Sequence, residues 1–189
     1  MIRYIEFVQT LHGLTVDYYS YKRMVFSDAM NTICEARGIP ILPLYCAPGP
    51  IALAMPQRQS FPRGYVVVDD SHPVFNISLD ELWSLAHGVI AHEVLHLDRP
   101  RLNERGADRG AAELLRNLRQ HDPAIHPEPY GRLVGRLSAD DTHPPGELRA
   151  SDVSHGWRDP QLLNAVDAHE RDTNFLGVGI LIGIVVCLF

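Results

Sequence analysis

The feature that most constrains this chain is the run His92-Glu93-Val94-Leu95-His96, in which two histidines stand four positions apart around a glutamate. Residues four apart lie on the same face of a helix, so both imidazoles can bind one metal ion. The glutamate after the first histidine can then act on a water molecule at that ion. The pattern therefore predicts a helix that carries His92 and His96 as zinc ligands and Glu93 as a general base.

The residues before this motif indicate where its helix begins and which face is buried. Ser78 followed by Glu81 forms a capping-box pattern, which predicts a helix start at this point. Leu85 and Val89 fall on the same helical stripe as the two histidines. The imidazoles are therefore expected on the inward face, where an unpaired carboxylate would be costly unless a metal and its water lie beside it.

Composition places the chain among ordinary globular proteins of one domain. Its 189 residues, 46% hydrophobic and 21% charged, are enough to bury a core. The formal net charge of −6 argues against nucleic-acid binding, which usually needs a basic surface. Cys34, Cys46 and Cys187 form no closely spaced pair, so we expect buried free thiols in a reducing, cytoplasmic compartment.

Hydrophobic periodicity predicts an α+β fold that is mainly helical. Helical spacing covers residues 1 to about 37 in two segments, and Gly38 ends it. Three short apolar runs then predict a small mixed or antiparallel sheet beside the motif helix, at residues 41–46, 51–55 and 65–68. Further helices are predicted at about 102–119 and 130–137, followed by a polar turn, then a loop and helix within 151–174.

The last fifteen residues, 175–189, contain no charged side chain and differ from the rest of the chain. As a helix they would be about 22 Å long, shorter than a hydrocarbon core of about 30 Å. Two interpretations remain: a C-terminal membrane anchor of a cytoplasmic domain, or a buried terminal helix or strand. The expected organisation is a domain over residues 1–174 and a hydrophobic tail over 175–189. The sequence does not indicate an oligomeric state.

A catalytic zinc site needs a third protein ligand and an open position for water. Glu104 and Asp108 share one face of the next predicted helix, and Glu104 follows the second motif histidine by eight positions. In one unbroken helix that step would separate them by about 12 Å, so the chain must reverse, and Pro100 allows a break there. Glu104 is therefore one candidate for the third ligand, and Asp108, His121 and His143 are the alternatives.

These elements, taken in order, resemble a known family. After the motif come E-x-x-A-D-x-x-A at residues 104–111 and T-H-P-P-x-x-x-R at residues 142–149. The order resembles that of the HtpX and CAAX-prenyl-protease group of zinc metallopeptidases, within the gluzincins, over about residues 30–150. The resemblance implies a zincin-like domain that binds one zinc ion and hydrolyses polypeptide substrates.

The resemblance also implies a role for each residue that matches its motifs. The implied roles are zinc ligation by His92, His96 and Glu104, catalysis by Glu93 as base and by His143 as stabiliser of the charged intermediate, and support by Asp108 and Arg149. Asp108 is expected to contact a ligand histidine and so to fix its tautomer and orientation.

Two other functions remain open at this point. Gluzincins of the ImmA/IrrE kind pair the same motif with a similar downstream element and cut specific repressors. They often accompany a helix-turn-helix segment, which we do not find in this sequence. The other alternative is a membrane-tethered binding module that keeps zinc only as a structural element. Structural zinc sites usually have four protein ligands, often cysteines, and no cysteine lies near the motif.

Overall fold

The computed structural model describes residues 18–139 and 143–159, and within them it shows an α+β fold that is mainly helical. The fold class predicted from the sequence is therefore confirmed at this level. The elements, in chain order, are α1 (Tyr18–Arg37), β1 (Leu44–Cys46), β2 (Ala52–Met55), β3 (Tyr65–Val68), α2 (Leu79–Asp98), α3 (Glu104–Arg119), α4 (Glu128–Gly135) and α5 (Gly146–Arg158), with a 3-10 turn at Pro73–Phe75.

The three predicted strands form one mixed sheet in the order β1-β3-β2. β1 pairs with β3 in parallel, and β2 pairs with β3 in an antiparallel arrangement. Val66 and Val68 of the central strand are fully buried, because alternate side chains of a strand point to one face and here that face covers the core. β2 pairs only with β3 among the described strands, so it is an edge strand.

The motif helix α2 is the centre of the core. Residues 82–92 along it are all buried, and α1, α3, α4 and the sheet all pack against it. Ser78 caps its N-terminus by accepting a hydrogen bond from the Glu81 backbone N–H at 3.4 Å. The Glu81 carboxylate accepts from the Ser78 hydroxyl at 3.1 Å, so this reciprocal contact joins the two side chains.

The chain reverses directly after α2, as the spacing between the motif and Glu104 requires. The helix ends at Asp98, and Pro100 occupies the turn that follows. Asn103 then caps α3, its Oδ1 accepting from the Gly106 backbone N–H at 2.8 Å. α3 therefore begins at Glu104, two residues later than the sequence predicted, because the Asn103 cap rather than the apolar Leu102 sets the helix start.

The last described helix, α5, differs from its prediction. The sequence predicted a polar turn before residue 150 and a loop and helix within 151–174, yet α5 already begins at Gly146, directly after Pro145. Proline restricts the residue before it but favours helix starts, so the Pro144-Pro145 pair marks a helix start. α5 crosses α3 closely: a Cβ at Gly156 would lie 2.0 Å from the Arg109 carbonyl oxygen. Only glycine fits there, and the crossing brings Arg149 against α3.

Several expectations fall outside this part of the chain. The hydrophobic tail at 175–189, the helical segment before residue 18, and Cys187 lie outside the described residues. Cys34 is buried and Cys46 partly buried, and both are free thiols. Among the described helices, none has the length and apolar character needed to span a membrane.

Candidate metal centre

The two motif histidines occupy the C-terminal half of α2 and point their ring nitrogens to the same spot. Nε2 of His92 lies 3.1 Å from Nε2 of His96, and the two rings stand edge-to-face with centroids 4.7 Å apart. His92 is buried, whereas His96 is partly exposed. The predicted inward orientation therefore applies fully to the first histidine and partly to the second.

Glu104, the first residue of α3, brings its carboxylate to these nitrogens. Its Oε2 lies 3.2 Å from Nε2 of His92, and its Oε1 lies 3.1 Å from Nε2 of His96. The eight-residue step is thus closed by the reversal at Pro100, which folds the start of α3 back over the end of α2. Among the described residues, one group of potential metal ligands has donor atoms that all lie within 4.8 Å of one another. It consists of His92, His96 and Glu104.

These three side chains fit a zinc ion. Ligand atoms at zinc distances of about 2.0–2.1 Å in a tetrahedron lie about 3.3 Å apart, close to the 3.1–3.2 Å separations between these atoms. Oε2 of Glu104 is buried and has no hydrogen bond of good geometry, although Nε2 of His92 lies 3.2 Å and Nη2 of Arg149 lies 3.6 Å away. A buried carboxylate oxygen without a well-formed hydrogen bond is unfavourable, and a cation among the three donors would satisfy it.

Asp108 and Arg149 form a buried pair behind His92. Asp108 lies one turn after Glu104 on α3, and its Oδ1 is 3.0 Å from Nδ1 of His92. Arg149 of α5 donates two hydrogen bonds to the Asp108 carboxylate, from Nε at 2.7 Å and from Nη2 at 3.0 Å. Asp108 therefore reaches the ring nitrogen of His92 that faces away from Glu104, in the place where the sequence expected it.

Tyr130 belongs to the centre but was absent from the sequence prediction. Its hydroxyl lies 2.5 Å from Oδ1 of Asp108 and 2.9 Å from Nδ1 of His92. The side chain comes from α4, 38 positions after His92, and no local pattern marks it. The one local signal is Gly88, one turn before His92, where an added Cβ would lie 2.6 Å from the Tyr130 ring. A glycine on the face of α2 that packs against α4 allows the two helices to approach closely.

The ionisable groups of the centre stabilise one another's charged forms. Burial lowers the pKa of His92, but the contacts with Asp108 and Glu104 outweigh burial and raise it to about 9. Burial raises the pKa of Glu104, and the contacts with the two imidazoles more than reverse this and lower it. Asp108 follows the same pattern, since His92 and Arg149 hold its pKa below the usual range despite burial. In the metal-free centre the two carboxylates thus favour the charged form of the His92 imidazole.

Glu93 and His143 line a cleft of about 90 Å³ beside these donors. Glu93 is half-buried, and in the described part of the chain its carboxylate makes no hydrogen bond or salt bridge. The His143 side chain is 39% exposed, and its Nε2 lies 3.5 Å from Oε2 of Glu104. The cleft is also lined by His92, Tyr130 and Arg149, by Ile51 and Ala52 at β2, and by apolar side chains: Val89 of α2, Leu133 and Val134 of α4, and Leu137 just after α4.

The structure separates the alternatives for the third ligand. Asp108 contacts Nδ1 of His92 rather than the Nε2 that faces the other donors. His121 lines a different cavity, beside Trp83 and His87, and so lies away from the metal ligands. His143 approaches Glu104 but is not within the cluster of donor atoms. Among the described residues, Glu104 is the one that joins the two histidines in this cluster.

No protein-family model, no curated protein and no solved structure matches this chain.

Proposed function

We propose that this protein is a zinc-dependent peptidase of the HtpX and CAAX-prenyl-protease kind, with a zincin-like domain. The observation that carries the proposal is the convergence of His92, His96 and Glu104, beside a cleft that His92 and Glu93 both line. Three protein ligands leave one position open for water, which is the arrangement of catalytic rather than structural zinc sites. The cytoplasmic placement and the tail anchor remain expectations of the same proposal.

A zinc ion held here would supply a Lewis acid for the scissile carbonyl and lower the pKa of bound water. Glu93 is the general base: its carboxylate takes a proton from the attacking water and passes it to the leaving amine. Because that carboxylate makes no hydrogen bond or salt bridge to described residues, it is available for proton transfer. His143 lies at the cleft mouth and donates a hydrogen bond to the oxygen that gains negative charge.

The edge strand β2 provides a binding site for substrate backbone. Ile51 and Ala52, at its start, line the cleft with Glu93, and its other edge pairs with no described strand. An extended peptide can hydrogen-bond to such an edge as an added strand. The apolar walls from α2 and α4 favour an apolar substrate side chain beside the bond that is cut.

A non-catalytic zinc module is less compatible with the same site. Closed structural sites have four protein ligands, whereas the described cluster has three and includes no cysteine. Glu93 would also have no task in such a module, although it lies half-buried in the cleft. A repressor-cutting peptidase would use the same centre, so it differs in substrate rather than in chemistry.

The test is cleavage of an unfolded protein substrate by the full chain loaded with zinc. Glu93→Gln should retain one zinc per chain and lose cleavage by at least about 100-fold, the lower range for a general base. Glu35→Gln, which changes an exposed glutamate on α1, is the matched control and should cleave as the wild type does. Full cleavage by the Glu93→Gln protein would end the proposal.

A further inference from the structure

Tyr130, which also lines the cleft, places a hydroxyl group beside Nδ1 of His92, on the side of the ring opposite Glu104. Only 2% of the residue is exposed, and the hydroxyl lies between Nδ1 of His92 at 2.9 Å and Oδ1 of Asp108 at 2.5 Å. Nδ1 of His92 and Oδ1 of Asp108 are themselves 3.0 Å apart. The three atoms therefore form a closed triangle on the side of the imidazole opposite Glu104.

The direction of the hydrogen bonds in this triangle follows from the chemistry of its members. Asp108 already accepts two hydrogen bonds from Arg149 and is an ionised carboxylate, so it can only accept. The single proton of the Tyr130 hydroxyl therefore goes to Asp108, and the hydroxyl oxygen faces His92 as an acceptor. Both neighbours of Nδ1 are then acceptors, so Nδ1 must carry a proton and donate it.

A proton on Nδ1 leaves Nε2 as the nitrogen that can offer a lone pair to a metal. That nitrogen is the one turned towards His96 and Glu104. The Tyr130 hydroxyl gives Nδ1 of the ring a second contact besides Asp108, and the two contacts restrict rotation of the imidazole. Tautomer and orientation are thus set by the same pair of groups.

Gly88 decides whether Tyr130 can reach this position. A Cβ added there would lie 2.6 Å from both Cβ and Cγ of Tyr130, which is far inside van der Waals contact. The aromatic ring therefore lies directly on the backbone of α2, one turn before His92. Any side chain at position 88 would push the ring, and its hydroxyl, away from the triangle.

We propose that Tyr130, seated on Gly88, is a positioning residue that locks His92 in the tautomer and orientation needed to bind the metal. The inference rests on the proposed metal centre and deepens it, since it concerns zinc binding rather than peptide hydrolysis. It assigns the strength of zinc binding to a contact made outside the ligand set.

The experiment uses Tyr130→Phe, which keeps the ring on Gly88 and removes only the hydroxyl. Zinc affinity is measured by competition with a chromophoric chelator, and we expect a loss of about 10–100-fold, as for other partners of a ligand histidine. Tyr45→Phe, at an exposed tyrosine of β1, is the matched control and should keep wild-type affinity. Cobalt substitution adds a spectroscopic signature: the visible bands of the Tyr130→Phe protein should shift, because one ligand ring is less restrained.

Gly88→Ala tests the same contact from the other side and should lower zinc affinity while leaving the hydroxyl present. If either variant does not fold, the wild-type protein still decides the matter by proton NMR. The Tyr130 hydroxyl should give a slowly exchanging resonance with a cross-relaxation peak to the proton on Nδ1 of His92. A proton found only on Nε2 in the zinc-loaded protein would overturn the proposal.

The other outcomes are equally distinct. Wild-type zinc affinity together with an unchanged cobalt spectrum in Tyr130→Phe would show that the tyrosine only packs against Gly88. Failure of the wild-type chain to bind zinc or cobalt would remove the metal centre and this proposal with it. Zinc binding that depends on Tyr130 in a protein that cuts no peptide would retain this inference and reject only the peptidase function.

Discussion

The buried pair of Asp108 and Arg149 makes the most quantitative prediction for this fold. Asp108 is fully buried and Arg149 is 3% exposed, and they are joined by hydrogen bonds of 2.7 and 3.0 Å. Removing Arg149 leaves the buried Asp108 carboxylate with His92 and Tyr130 beside it, and breaking such a buried pair costs about 3–5 kcal/mol. We therefore expect Arg149→Met to lower the free energy of unfolding of the metal-free protein by that amount.

A double variant measures how much of the stability loss comes from the interaction between Asp108 and Arg149. Asp108→Asn alone leaves the Arg149 cation buried, so it should also be strongly destabilising, whereas Asp108→Asn with Arg149→Met removes both charges. The double variant should therefore lose at least about 1 kcal/mol less than the sum of the single losses, within the range of coupled neighbours. The comparison requires zinc-free protein, because metal binding would add its own stabilisation.

The assay is urea unfolding followed by circular dichroism in the presence of a chelator. Arg23→Met is the matched control: Arg23 pairs with Asp70 at 2.8 Å, but its side chain is 62% exposed, so the loss should be about 0–1 kcal/mol. A loss below about 1 kcal/mol for Arg149→Met, or strictly additive losses in the cycle, would refute the view that this pair holds the centre together.

Two further predictions concern the third ligand and the core. Glu104→Gln should weaken zinc binding by more than about 100-fold in chelator competition, beyond the range expected for an outer contact; near-native affinity would exclude Glu104 as a ligand. Burial lowers the pKa of His87, while Trp83, Asp28 and Asp122 oppose this. The unfolded chain therefore takes up the proton first, so stability falls as pH drops below about 6.5. His87→Leu should make this decline shallower by up to about 1.4 kcal/mol per pH unit, and identical slopes would contradict it.

Much of the centre could be predicted because its signals are local in sequence. The motif, the Ser78 cap and the apolar stripe all lie within one helix, and helical periodicity relates them directly. Glu104 was predicted from the family resemblance, and Pro100, which stands between it and the motif, allows the reversal that this prediction requires. The antiparallel and parallel pairings of the sheet could be anticipated only in part, since short strands carry little information about their partners.

The remaining features depend on tertiary packing. Tyr130 reaches His92 across 38 positions, and its role arises from the way α4 rests on Gly88. A tyrosine in an amphipathic helix is ordinarily read as core, and only the fold reveals the polar contact of its hydroxyl. The start of α5 was expected after residue 150 rather than at Gly146, although a proline pair such as Pro144-Pro145 is compatible with the residues that open a helix.

X-ray absorption spectroscopy at the zinc edge, on the full chain, tests most directly the claim that His92, His96 and Glu104 bind zinc. Protein loaded with one equivalent of zinc should show two imidazole nitrogens at about 2.0–2.1 Å and a carboxylate oxygen at about 2.0–2.2 Å, with a light atom in the remaining position. The Glu104→Gln protein should lose the oxygen contribution from this site. A spectrum with sulfur ligands, or one that is unchanged when Glu104 is replaced, would contradict the assignment of His92, His96 and Glu104 as the metal centre.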